Sequence, residues 1–118
     1  AAALRAGEPD TLFTNQFRQP VWVNSLGEAC LELAAGTFQG VINIAGSQRL
    51  SRAEFGLRLL DWWRIEPRQT LTMGPSTYGR WPLDTTFDLS LATTVLHTPL
   101  PGVDAVLAAK TAEKRQEN

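Results

Sequence analysis

The sequence predicts an α/β domain, and three observations carry that prediction. Two Ser-x-x-Glu capping boxes, Ser25 to Glu28 and Ser51 to Glu54, each open an apolar run with helical spacing. Short β-prone runs such as Val21-Trp-Val23 and Val41-Ile-Asn-Ile-Ala45 alternate with those helices. Glycine and proline mark most of the junctions, as at Pro20, Gly36, Gly40 and Gly46.

Size and composition bound the reading further. With 118 residues, 43% of them hydrophobic, residues 1–118 fit one domain with a modest core. Eleven basic and 12 acidic residues are spread evenly and give a net charge of −1. That balance offers no electrostatic footprint for nucleic acid or an anionic membrane, so neither is expected as a partner. One cysteine cannot form an internal disulfide, and no apolar run is long enough for a signal peptide or a membrane span. A cytoplasmic location is therefore expected. The chain starts Ala-Ala-Ala without Met, inside what reads as a helix end, so a fragment of a longer protein is also expected.

Taken in order, residues 1–7 read as the last turns of a helix, stopped at Gly7. Glu8-Pro-Asp10 is a turn, and Thr11-Leu-Phe-Thr14 a short strand. The stretch from Asn15 to Gly36 is the feature around which the rest of the chain is organised. Val21 to Val23 form a β-prone run with Pro20 at its first position, where a missing backbone N–H is tolerated. Ser25 caps a helix whose inner face is Leu26, Ala29, Cys30, Leu33 and Ala34, and Gly36 supplies a left-handed stop. Val41 to Ala45 reads as a buried strand, so strand, helix and strand suggest a crossover unit. Ser51 caps the next helix, which runs to about Arg64 with Phe55, Leu59, Trp62 and Trp63 inward. The two tryptophans read as packing rather than as a stacking platform. A link containing Pro67 leads to a strand at Leu71-Thr-Met73. The loop Gly74 to Pro82, which lacks periodicity, is a candidate functional segment. Thr85-Thr-Phe87 is a short strand, and Asp88 or Ser90 caps a helix from Leu91 to Leu96. A last helix starts at Val103, with Asp104 near its start and Lys110, Lys114 and Arg115 towards its end, matching the helix dipole. Its final residues, to Asn118, should fray.

Several chemistries are disfavoured. His97 is the only histidine and stands far from Cys30, so no metal site is expected. His97 reads as a helix-end or surface residue, and Cys30 as an inert small hydrophobe on the apolar helix face. There is no Gly-x-Ser-x-Gly elbow, and no two of the nine glycines are two apart, which rules out the Gly-x-Gly start of a dinucleotide fingerprint. Gly74 and Gly79 have P-loop spacing, but Arg80 and Trp81 stand where Lys and Ser or Thr are required. The surviving candidates are one arginine in each informative loop, Arg18 and Arg80, since guanidinium suits phosphate.

Three ordered segments carry a family resemblance. They are Leu12-Phe-Thr-Asn-Gln-Phe-Arg-Gln-Pro-Val-Trp-Val-Asn-Ser-Leu-Gly-Glu-Ala29, then Gly40-Val-Ile-Asn-Ile-Ala-Gly46 with Leu50-Ser-Arg-Ala-Glu-Phe55, and Arg80-Trp-Pro-Leu-Asp-Thr-Thr-Phe-Asp-Leu-Ser90 with Leu100-Pro-Gly102. Their succession resembles the C-terminal part of extended short-chain dehydrogenases/reductases of the dTDP-4-dehydrorhamnose reductase type. The resemblance implies a small C-terminal substrate-binding lobe of a Rossmann-type enzyme, with short strands and about four helices. Most of the Rossmann domain, with its glycine-rich NAD(P) loop and Tyr-x-x-x-Lys pair, would lie outside the chain. Tyr78 is the only tyrosine here, and Pro82 stands where that Lys would be, so this chain alone should be catalytically silent. The implied ligand is a nucleotide-sugar, with Arg18 and Arg80 on its diphosphate and Asn15 and Gln16 on sugar or nucleotide hydroxyls. The alternatives are a non-catalytic sugar-nucleotide-binding or interaction module, and the lobe of a nucleotide-sugar epimerase or dehydratase.

Overall fold

Helix α1 (Ala2–Arg5) is a single turn, too short to persist alone, and it is held by Leu4, which is buried against Leu60 and Ile65. Gly7 then takes the left-handed conformation, with φ 72°, and turns the chain out of the helix. The computed structural model describes residues 2–66, 68–77 and 79–117. Pro67 of the expected link, Tyr78, Ala1 of the expected first helix and Asn118 of the expected frayed end lie outside the described residues. The architecture is mixed α/β, with few and short strands. It divides into two compact units, residues 1–18 with 50–85, and residues 19–49 with 86–118.

In the first unit, β1 (Asp10–Phe13) pairs in parallel with β4 (Leu71–Gly74), in a register that sets Phe13 opposite Gly74. β2 (Phe17–Arg18) pairs antiparallel with β3 (Leu50–Ser51), Phe17 opposite Ser51. The chain passes directly from β3 into α3 (Arg52–Trp63), and the serine half of the expected capping box forms: Ser51 Oγ accepts from the Glu54 N–H at 3.1 Å. The helix stops at Arg64, a left-handed residue with φ 53°. The Ile65 N–H reaches back to Leu60 O, and the Arg64 N–H to Asp61 O. Leu60 and Ile65 pack together in the same cluster, the apolar contact that accompanies this kind of helix end. The inward face of α3 is Ala53, Gly56 and Leu60. A Cβ on Gly56 would come within 2.9 Å of the Leu12 side chain, so small residues let the helix approach β1. Trp63, expected inside, is largely exposed, and Trp62 is half-buried.

The second unit departs more from expectation. α2 (Val23–Ala35) begins at Val23 with Trp22 as an extended N-cap that makes no side-chain bond. The expected strand over Val21 to Val23 is therefore absent, and Ser25 is a buried residue inside the helix rather than its cap. The inward stripe is Ser25, Ala29 and the half-buried Leu33; Cys30 and Ala34 are exposed, and Leu31 is 74% exposed. Gly36 ends the helix in an extended conformation, φ −93°, and not in the left-handed one. Val41 to Ala45 pairs with no strand among the described residues. Its alternation survives without a ladder: Ile42 and Ile44 cover the cluster of Ala29, Ala92 and Leu96, while Val41 is 86% exposed. The crossover unit expected around α2 is thus not formed.

Thr85 to Phe87 is likewise irregular; the neighbouring Asp84 forms a single bridge opposite Phe17, within the first unit. In the second unit, α4 (Ser90–Val95) is preceded by Asp88, whose carboxylate accepts from the Ser90 N–H at 2.8 Å. α5 (Val103–Gln116) carries Asp104 in its first turn and Lys114 and Arg115 in its last. Its N-terminus is capped from a distance, the Gln48 Oε1 accepting the Asp104 N–H at 3.0 Å. Among the described residues no helix is long and apolar enough to cross a membrane.

Candidate functional site

Asn15 and Gln16 sit in the first unit where the chain leaves the β1–β4 ladder and enters the β2–β3 ladder. The first ladder is extended by Thr14, whose N–H donates to Gly74 O at 3.1 Å. Asn15 then extends it with its side chain: Nδ2 donates to Ser76 O at 3.1 Å, and Oδ1 accepts the Ser76 N–H at 2.8 Å. A carboxamide is suited to this, because it presents one donor and one acceptor side by side, as a backbone does. Gln16 extends the second ladder, its carbonyl accepting the Arg52 N–H at 2.8 Å.

A cleft of about 320 Å³ opens at this corner, lined by Phe13, Gln16, Arg18, Arg52, Ser76 and Trp81. That volume is at the small end of ligand sites. Arg18 projects from β2 and donates to Phe17 O at 2.7 Å and to Pro82 O at 2.9 Å, with a longer contact to Leu83 O. Its guanidinium thus ties the 82–83 segment to β2, helped by the Phe17 N–H to Leu83 O. Arg52, the first residue of α3, reaches Gln16 Oε1 at 3.3 Å, and its guanidinium lies 6.0 Å from the Phe13 ring centroid. That is the outer limit of a cation–π contact. Among the described residues neither arginine has a carboxylate partner. The cleft is therefore positively charged, with most of the Arg52 donors uncommitted. Gln16 is 2% exposed and orients Arg52 from beneath. Ser76 is buried at 9% exposure, and its hydroxyl has no hydrogen-bond partner among the described residues.

Of the residues singled out in the sequence, Arg18 and Gln16 line this cleft. Asn15 stands behind it, holding Ser76. Arg80 is exposed and does not line it. The second guanidinium is that of Arg52, which the sequence presented only as the residue following a cap. Its signal was available: a first-turn arginine beside a strand end is placed where helix N–H groups and side-chain donors converge. Ser76 gave no signal, since its burial depends on the Asn15 contact 61 positions away.

A second hollow, about 530 Å³, lies in the other unit against Glu32, Leu33, Gly36, Phe38 and His97. Its carboxylate is committed to structure. Glu32 accepts the His97 N–H at 2.7 Å and the Thr98 N–H and hydroxyl, both at 2.7 Å. These bonds, led by that from the His97 backbone, hold its pKa below the ordinary glutamate value. Among the described residues no three metal-ligating side chains cluster. The passages from β2 to α2 and from β3 to α3 contain no glycine. No family model, no curated protein and no solved structure matches this chain.

Proposed function

We propose that this chain is the substrate-binding lobe of an NAD(P)-dependent oxidoreductase acting on a nucleotide-sugar, of the dTDP-4-dehydrorhamnose reductase type. The observation that supports the reading best is the composition of the cleft: two arginines without carboxylate partners, beside Phe13 and the 66% exposed Trp81. Guanidinium matches phosphate oxygens, and aromatic faces accept a base or a sugar ring. The three segments that carry the family resemblance all contribute to this cleft. Phe13, Gln16 and Arg18 come from the first, Arg52 from the second and Trp81 from the third.

The work assigned to these residues is binding and positioning. Arg18 fixes the 82–83 segment and presents charge, and Arg52 engages the diphosphate. NAD(P), when bound by the parent enzyme, supplies the hydride. Calorimetric titration of the folded chain tests the reading. dTDP-glucose is expected to bind more tightly than dTMP, and glucose not measurably. Equal affinity for all three, or no heat from any, contradicts it.

A further inference from the structure

We infer that Ser76 is a ligand-binding residue, its hydroxyl donating a hydrogen bond to a phosphate oxygen, with Asn15 as the positioning residue behind it. This rests on the reading of the cleft as a diphosphate site and adds to that site a neutral donor. Ser76 is more than nine-tenths buried, lines the cleft, and leaves its Oγ without a partner among the described residues. A buried hydroxyl without a partner is costly, and one on a residue lining a cleft that holds two guanidinium groups is accounted for when a ligand atom completes it. The chemistry of that atom follows from the neighbours. Arg18 and Arg52 make the cleft positive, and an anionic oxygen accepts from guanidinium and hydroxyl alike. Asn15 holds both the N–H and the carbonyl of Ser76, at 2.8 and 3.1 Å, which fixes the backbone from which the hydroxyl projects.

The test uses the full chain and inorganic pyrophosphate as probe, in wild type, Ser76→Ala, Asn15→Ala and the double variant. A hydrogen bond to a charged group corresponds to roughly a ten-fold or larger change in affinity. Ser76→Ala is expected to weaken pyrophosphate by about that factor without lowering the urea midpoint, because it removes an unpaired hydroxyl. Asn15→Ala as a single variant is expected to weaken pyrophosphate binding, but to add little once Ser76 is already alanine, a coupling that a general loss of stability would not produce. Unchanged pyrophosphate affinity in Ser76→Ala overturns the inference, as does the absence of pyrophosphate binding by folded wild type. The two readings fail separately. If dTDP-glucose binds wild type and Ser76→Ala equally, the role of Ser76 falls and the nucleotide-sugar reading stands. Ser76-dependent pyrophosphate binding without dTDP-glucose binding gives the reverse.

Discussion

Replacing Asn15 by alanine removes the side chain that completes the β1–β4 ladder. Two hydrogen bonds are lost, those to Ser76 N and Ser76 O. Each contributes about 1 kcal/mol net, and a buried backbone group left unpaired costs roughly 1–3 kcal/mol. Because both contacts are only part-buried, water can replace some of what is lost. The expected destabilisation is therefore about 2–3 kcal/mol, a large share of the roughly 5–15 kcal/mol typical of a domain. Urea unfolding followed by tryptophan fluorescence measures it, as a lower midpoint at unchanged slope. Asn43→Ala, at an exposed position, is the control and should fall within about 0.5 kcal/mol of wild type. An Asn15→Ala loss as small as that of the control would refute the reasoning.

Three further outcomes are expected in the second unit. A Cβ on Gly46 would stand 2.0 Å from the Pro20 carbonyl oxygen, a backbone atom that cannot swing aside, so Gly46→Ala should cost about 3 kcal/mol or more by chemical denaturation. Glu32 has a pKa lowered by its folded-state bonds, so its contribution is fully present above the ordinary glutamate range and is lost as pH falls through the lowered value. Acid titration of stability should therefore be less steep in Glu32→Gln than in wild type, and identical profiles would contradict the assignment. Cys30 is exposed, so a thiol reagent should label it completely in native protein; labelling only after denaturant is added would place it inside.

The features legible in the sequence were local ones. The Ser51 cap and the dipole-matched ends of α5 depend on neighbours a few positions away, and both are present; the strands around Thr11 and Leu71 are present too, because each finds its partner edge in the other. The same capping pattern misled at Ser25, because the fold draws that serine into the core beside Ala29 and starts the helix earlier, turning Cys30 and Ala34 outward. Propensity over Val21 to Val23 and Val41 to Ala45 pointed to strands, but a strand needs a partner edge, and none is paired there among the described residues. The candidate site divided in the same way. Arg18 and Gln16, singled out from their loop, line the cleft. Arg52 and Ser76 reach the cleft through pairings with Gln16 and Asn15, 36 and 61 positions away, which no local pattern records.

The central claim is that Arg52, and not Arg80, provides the second guanidinium of a nucleotide-sugar site. Calorimetry with dTDP-glucose on wild type, Arg52→Ala and Arg80→Ala measures it directly. A charged hydrogen bond lost at Arg52 should weaken binding by about ten-fold or more. Loss of the exposed Arg80 should change affinity by no more than about two-fold, as for a solvated surface charge. Strong loss in Arg80→Ala with Arg52→Ala unaffected, or no binding by the folded wild-type chain, would contradict the account.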